Sequence, residues 1–158
     1  MIDLTLGRSA ITQLHTNSAT CSAWASYLAE FTWSFFVTLT TSVKVGRDRL
    51  VREFRRLIHR LERIAKAPVM WFYSIEEGEG RAHIHALLWQ EHPLPTRAIE
   101  SQWRLGIAKA ARFDPSLPGA AYIAKEIGAD VTDAYDLSPN LPPRAQGAPT
   151  YCGEKGGI

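Results

Sequence analysis

A single long helix set among apolar, strand-like segments constrains the fold of this sequence more than any other feature. Residues 33–41 (WSFFVTLTT) are aromatic and β-branched without Gly or Pro, which predicts a strand. Over residues 46–66 the apolar side chains recur at the spacing of one helical face, and Pro68 ends the pattern. Residues 69–76 and 81–90 predict two more strands, and the sequence EGEG between them predicts a hairpin.

The rest of the chain predicts helices and a tail. Shorter helices are predicted over three segments, 22–30, 96–105 and 120–127. Strand, helix, hairpin and then helices is the order of an α+β sandwich with an antiparallel sheet. Prolines and glycines crowd the C-terminal stretch, so residues 1–130 are expected to form one domain and residues 131–158 an extended tail.

Composition favours a globular domain inside the cell. Of 158 residues, 46% are hydrophobic and 22% charged, enough apolar material for a core and too much for a disordered chain. No apolar run is long enough to span a bilayer, and no basic start followed by an apolar stretch marks a secretory signal. Cys21 and Cys152 are expected to be reduced thiols. We therefore expect a cytoplasmic protein with no membrane partner.

Basic residues are concentrated in the long helix. Residues 44–66 contain nine basic and three acidic side chains, although the whole chain carries a net charge of only +2. Two interpretations are open at this point. The segment binds a polyanionic partner, or it is a solvated helix face.

The sequence His83-Ile84-His85 is the strongest candidate for a site. Alternate residues of a strand share a face, so both imidazoles project the same way and suit a divalent metal, which needs a third ligand. If the preceding strand turns its aromatic residues to the core together with Ile84, Glu76 joins the two histidines; a bulge in the turn would bring Glu77 instead. Surface histidines that bind nothing are the alternative.

Two further pairs of side chains could take part in chemistry. Tyr122 and Lys125 lie three residues apart, on one face of a predicted helix. A tyrosine with its usual pKa of about 10 is a poor nucleophile, and a metal-activated target or a cation such as Lys125 would help it. Thr38 and Thr40 share a face of the first strand and could bind a nucleic-acid backbone or support the histidines. Packing, for the tyrosine, and strand propensity, for the threonines, are the simpler explanations.

Taken together, these segments resemble the HUH endonucleases, and within them the replication initiators (Rep proteins) of rolling-circle plasmids, phages and small single-stranded-DNA viruses. The resemblance covers roughly residues 33–128 and includes Trp103 and Gly106. Three short motifs carry it in the order typical of the family: FFVTLTT (35–41), SIEEGEGRAHIHALLW (74–89) and AAYIAKEIG (120–128).

The resemblance implies a ferredoxin- or RRM-like fold with a central five-stranded antiparallel sheet. It implies that His83, His85 and Glu76 hold Mg²⁺ or Mn²⁺ against the scissile phosphate of single-stranded DNA. Tyr122 would attack the phosphorus, leaving a 5′-phosphotyrosyl link and a free 3′-hydroxyl that primes synthesis and can later rejoin the strand. Lys125 would assist with charge or positioning. With only one tyrosine in the third motif, a single-tyrosine reaction is expected.

The resemblance also implies partners. The substrate would be single-stranded DNA of a replication origin, and Arg81 and Thr40 are expected to contact it. No helicase segment or phosphate-binding loop follows in the sequence, so a host helicase and polymerase are expected partners, unless the chain is part of a longer initiator.

Two other functions are compatible with the same segments. One is a transposase of the single-tyrosine HUH type, which the recognised DNA ends would distinguish. The other is a non-catalytic RRM-type module that binds nucleic acid, which predicts aromatic side chains stacked on an exposed sheet face. The candidates for that role are Phe36, Phe72 and Trp89.

Overall fold

The secondary structure alternates strands with helices in the order that the sequence predicts. The structure is a computed structural model, and it describes residues 20–77, 81–124 and 135–146. The elements in chain order are α1 (20–29), β1 (Phe35–Thr41), α2 (Arg47–Ala65), β2 (Met70–Glu77), β3 (Ala82–Trp89), α3 (Thr96–Glu100), β4 (Gly106–Arg112), α4 (Gly119–Ala124) and β5 (Tyr135–Leu137).

The strands of the described residues form one antiparallel sheet in the order β4-β1-β3-β2-β5. From β1 to β4 the chain runs strand, helix, hairpin, helix, strand, and the spatial order 4-1-3-2 is that of the ferredoxin-like split βαβ unit. β5 adds a fifth strand beside β2. The α+β fold with a five-stranded antiparallel sheet is therefore confirmed.

The two helices α2 and α3 cover one face of the sheet. The apolar stripe of α2 is buried, and its Phe54 ring lies 5.4 Å from the ring of Trp71 and 4.7 Å from that of Tyr73. Ile84 of β3 and Ile99 of α3 belong to the same core. As predicted, the odd-numbered residues of β2 face this core, so its even-numbered residues face the opposite side of the sheet.

A second core covers only part of the opposite face. There α1 and α4 pack on Phe72 and Leu87, and the ring of Trp24 lies 5.5 Å from that of Phe72. Ile123 anchors α4 in this cluster with no exposed surface. The part of the sheet beyond this second core, toward His83, is left open as a groove.

β4 was not predicted, and the helix expected over residues 96–105 ends at Glu100. The sequence GIAKAAR consists mostly of small residues, so alternation between two faces leaves little trace in it. The structure explains the two flanking residues of the family resemblance. Trp103 donates its indole N–H to the carbonyl oxygen of Thr40 at 2.9 Å, and a Cβ at Gly106 would collide with that same oxygen.

The structure differs from the expected tail because residues 135–146 pack on the domain. β5 pairs with β2, and Asp136 accepts a hydrogen bond from Arg55 of α2 at 2.7 Å. Farther along, Arg144 pairs with Glu30 at 2.6 Å. A strand of three residues is too short to leave a periodic signal in the sequence. The other residues of the expected tail, 131–134 and 147–158, lie outside the described residues.

Part of the positive charge of α2 is used inside the molecule. Arg60 donates to Glu53 at 2.7 Å and to the carbonyl oxygen of Gln102 at 2.8 Å, and all of this lies in the helix layer. Arg47 pairs with Glu77 at 2.9 Å. Among the described residues, no helix is both long enough and apolar enough to cross a membrane.

Candidate active site

Strand register brings the candidate side chains together in two rows across the open part of the sheet. Residues directly opposite each other in an antiparallel pair share a face, with Cβ atoms about 5 Å apart. The first row, from β2 to β4, is Glu76, His83, Thr40 and Ile107. The second row is Ser74, His85, Thr38 and Lys109. Both rows face the groove side of the sheet, opposite to α2.

The two histidines are held in parallel by the neighbouring strand. Their rings are 10° from parallel, with centroids 6.4 Å apart. On β1, the hydroxyl of Thr38 lies 3.3 Å from Nδ1 of His85, and the hydroxyl of Thr40 lies 3.1 Å from Nδ1 of His83. The threonine pair therefore fixes one nitrogen of each ring and turns the Nε2 atoms away from β1.

Glu76 contacts the second histidine directly. Its Oε2 lies 2.8 Å from Nε2 of His85, which is 5% exposed. An ionised carboxylate can only accept, so Nε2 of His85 is the donor, and Nδ1 of the neutral ring is left to accept from the hydroxyl of Thr38. No described residue hydrogen bonds to Nε2 of His83. Glu76, the two imidazoles and the two threonines thus form one connected network on the groove face.

Glu77 lies on the opposite face of β2. Its carboxylate accepts from Nε of Arg47 at 3.1 Å, on the side of the sheet that α2 covers. The ladder between β2 and β3 is continuous from Met70 to Glu77, so the bulge that would bring Glu77 to the histidines is not present. Glu76 is the carboxylate that shares the groove with His83.

The donor set suits a divalent cation. Two imidazole nitrogens and one carboxylate are ligands that transition metals and Mn²⁺ accept, and they leave positions for water or a phosphate oxygen. Within the described ranges, no three His, Cys, Asp or Glu side chains are already spaced as a closed metal centre. The hydrogen bond between Glu76 and His85 nevertheless keeps a carboxylate against an imidazole whose other nitrogen is already fixed, which is the usual arrangement around a bound metal. The residues present therefore fit the metal that the resemblance implies.

Tyr122 projects from α4 into the same groove. Its ring stands at 89° to the ring of His85, with centroids 4.9 Å apart, and at 70° to the ring of Phe36 at 6.2 Å. The side chain is nevertheless 41% exposed. The neighbouring Ile123 and Ala124 are fully buried and fix the short helix, so that its exposed side carries the tyrosine past the second histidine.

The loop before α4 is ordered by a local turn. The hydroxyl and the backbone N–H of Ser116 donate to Asp114 at 2.6 Å and 2.9 Å. These hydrogen bonds to the ionised form hold the pKa of the Asp114 carboxyl below its ordinary value. Lys125, the predicted partner of Tyr122, lies outside the described residues.

The groove that contains these side chains has a volume of about 820 Å³. Arg81 is exposed and lines it, as does Thr40, whose hydroxyl is engaged with His83. Ile107 and Lys109 of β4 line it as well, and the sequence did not point to either. Recognising the alternation in GIAKAAR as a strand would have placed both of them on one face.

Comparison with known proteins agrees with a role in replication. Residues 34–130 match the family of the replication-associated protein ORF2. Because the match spans more than half of the chain, the chain belongs to this family. It is a replication-associated protein, as the resemblance to replication initiators predicted.

Similarity to individual proteins is weaker than similarity to the family. No curated protein matches the sequence. A crystal structure of the hypothetical protein ORF119 from Sulfolobus islandicus rod-shaped virus 1 superposes with a TM-score of 0.48 and 16% identity. The match covers 72% of this chain and 95% of the viral protein.

Proposed function

We propose that this replication-associated protein is a single-stranded-DNA endonuclease that also rejoins strands, and that it initiates rolling-circle replication. The observation that carries the proposal is the meeting of Tyr122 and His85 in one groove, with ring centroids 4.9 Å apart. A nucleophile and a cation-binding set must both reach one phosphate, and the groove supplies the space for it.

Glu76, His83 and His85 would hold Mn²⁺ or Mg²⁺ in this proposal. A bound divalent cation withdraws charge from a phosphate and makes a modest oxygen nucleophile adequate. Thr38 and Thr40 orient the imidazoles through their Nδ1 atoms. Hydrogen-bonding partners of this kind commonly orient metal-binding histidines.

Tyr122 is the proposed nucleophile. Its phenolic oxygen forms a bond to the phosphorus and gives its proton to solvent, while the bond from phosphorus to the 3′ oxygen breaks. The leaving oxygen keeps the electron pair and takes up a proton, giving a free 3′-hydroxyl and a 5′-phosphotyrosyl link. Return attack by a 3′-hydroxyl reverses these changes and joins the strand. We propose that Lys125 assists with its positive charge.

DNA contacts and partners complete the proposal. Arg81 lies two residues before His83 on the same strand face, and its exposed guanidinium suits a phosphate entering the groove. Thr40 is proposed to act on DNA through His83, which it holds, as well as by direct contact. A host helicase and polymerase would supply the unwinding and synthesis that follow nicking. The DNA ends cut by the protein would distinguish a transposase from an initiator.

The non-catalytic RRM-type module finds less support. Of the aromatic side chains that it would display for stacking, Phe72 is 1% exposed, because Trp24 of α1 lies over it. Phe36 packs against His85 and Tyr122 instead of presenting an open face. The aromatic residues of this sheet thus support the groove more than they offer a platform for bases.

A covalent-adduct experiment tests the proposal. The protein is incubated with random single-stranded DNA and Mn²⁺ and separated on a denaturing gel, with Tyr135→Phe as the matched tyrosine control. We expect a slower-migrating band in the wild type and in Tyr135→Phe, and no such band with EDTA or in Tyr122→Phe. A band that persists in Tyr122→Phe or in EDTA would contradict the proposed roles. No band, together with no Mn²⁺ binding by calorimetry, would favour the non-catalytic module.

A further inference from the structure

The groove face of β4 carries two side chains that the proposed chemistry does not use. Ile107 is 65% exposed although it is a large apolar residue, and Lys109 follows it two positions later on the same face. Lys109 forms no ion pair with any residue that the structure describes. The alternate residues, Ala108 and Ala110, pack against the core on the other side. An exposed isoleucine beside an unpaired lysine in a groove indicates a ligand with an apolar and an anionic part.

The edge of β4 is less available than its face. Ala110 donates its backbone N–H to the carboxylate of Glu100 at 3.0 Å. This contact occupies a donor on an edge strand that an added strand would otherwise use. A peptide or a second copy extending the sheet is therefore a poor occupant, and the ligand must lie across the face.

Strand spacing sets the distance of this face from the histidines. β4 and β3 are separated only by β1, and neighbouring strands are about 4.8 Å apart. The backbones of Ile107 and Lys109 thus lie roughly 10 Å from those of His83 and His85 in the same rows. That separation is too large for either residue to contact the proposed scissile phosphate, and it suits the neighbouring nucleotide.

The charges along the groove favour a polyanion. Arg81 lies at the end of β3 beyond His83, and Lys109 lies on the opposite side of the histidine pair, two strands away. The acidic side chain in the described lining is Glu76, which the network of histidines engages. A phosphate chain passing over the histidines would meet a cation before and after them.

We propose that Ile107 and Lys109 form a subsite for the nucleotide next to the cleaved phosphodiester of single-stranded DNA. Lys109 pairs with the phosphate of this nucleotide, and Ile107 packs against its base or sugar. The subsite rests on the proposed function for its place in the reaction. Its binding can be measured without any cleavage. It combines the two components by which proteins hold single strands, a charge for the backbone and an apolar contact for the base.

Binding of a fluorescein-labelled random 20-nucleotide single strand tests the subsite, measured by anisotropy in EDTA over a range of salt concentrations. Lys109→Gln is expected to weaken binding and to reduce the slope of log affinity against log salt by about 0.7, the share of one phosphate contact on a single strand. Ile107→Ala is expected to weaken binding several-fold with an unchanged slope, because it removes only apolar contact. Arg97→Gln and Ile64→Ala change the same residue properties on the helix layer and serve as matched controls.

The outcomes separate the subsite from the enzyme. If Lys109→Gln keeps both the affinity and the salt slope of the wild type, the subsite is wrong, even when the wild type forms the covalent adduct. If the wild type forms no adduct but its binding depends on Lys109 and Ile107 as expected, the subsite stands and the proposed nuclease fails. Lys109→Arg should restore the slope, and a Lys109→Gln protein that unfolds early leaves this rescue as the deciding comparison.

Discussion

The two adjacent glutamates of β2 offer the sharpest test of how the sheet builds the site. Glu76 faces the groove and contacts His85 at 2.8 Å, whereas Glu77 faces α2 and pairs with Arg47. Glu76→Gln and Glu77→Gln are the same chemical change, one residue apart, on opposite faces. We expect the first to abolish metal-dependent adduct formation and the second to leave it intact.

The expected changes in stability are small and similar, so they cannot explain a difference in activity. The side chain of Glu77 is 55% exposed, and an exposed ion pair of this kind contributes about 0.2–1 kcal/mol. In Glu76→Gln the amide oxygen still accepts from His85, and the loss of charge weakens that hydrogen bond by about 1 kcal/mol. For a chain of this size, 1 kcal/mol lowers Tm by roughly 2–4 °C.

The expected changes in cleavage differ by orders of magnitude. Loss of a residue that only supports a metal ligand already costs about 10–100-fold in metal affinity or activity. Replacing a ligand carboxylate by a neutral amide should cost Glu76→Gln at least about 100-fold at the same Mn²⁺ concentration. Glu77→Gln should stay within about twofold of the wild type.

The assay is the initial rate of adduct formation on one single-stranded oligonucleotide, with Mn²⁺ binding by calorimetry and Tm measured on the same samples. A full rate for Glu76→Gln would remove the carboxylate from the proposed site. A large loss for Glu77→Gln with a normal Glu76→Gln would show that the two faces of β2 are assigned the wrong way round.

Three further substitutions test the packing that supports the groove. Gly106→Ala places a Cβ against backbone atoms, including the amide nitrogen of Ser42 at 2.7 Å, and should lower the free energy of unfolding by about 1–3 kcal/mol; an unchanged urea midpoint would refute the close approach. Phe36→Leu removes the ring beside Tyr122 and should slow adduct formation at unchanged Mn²⁺ affinity, and a parallel loss of both would assign it a role in the metal site. Arg60→Met leaves the buried carboxylate of Glu53 without its shorter ion pair and should cost about 3 kcal/mol in urea unfolding, and a loss below about 1 kcal/mol would show that the pair contributes little.

The sequence was sufficient for the central elements because they are long and strongly patterned. Nineteen residues of α2 carry one apolar face, and β2 and β3 alternate clearly enough to give the correct faces. Alternation alone then placed Glu76 on the face of His83, and the continuous ladder removed the remaining choice between neighbouring glutamates.

The edges of the sheet could not be predicted in the same way. β4 is rich in alanine, which fits either face, and the β5 strand of Tyr135–Leu137 is held by pairing with β2 more than by its own pattern. As a result, Ile107 and Lys109 were missed as groove residues. The burial of Phe72 was also beyond reach, because it depends on Trp24, which is distant in sequence and meets it only in the folded chain.

Mapping the residue that carries DNA tests the central claim most directly. The five tyrosines of the chain fall into five different tryptic peptides, and Tyr122 is the only tyrosine in the peptide of residues 113–125. After reaction with Mn²⁺, nuclease trimming and digestion, mass spectrometry should find the added nucleotide mass on this peptide alone. Nucleotide mass on the peptide of residues 126–144, which carries Tyr135, or on any other tyrosine peptide would contradict Tyr122 as the nucleophile.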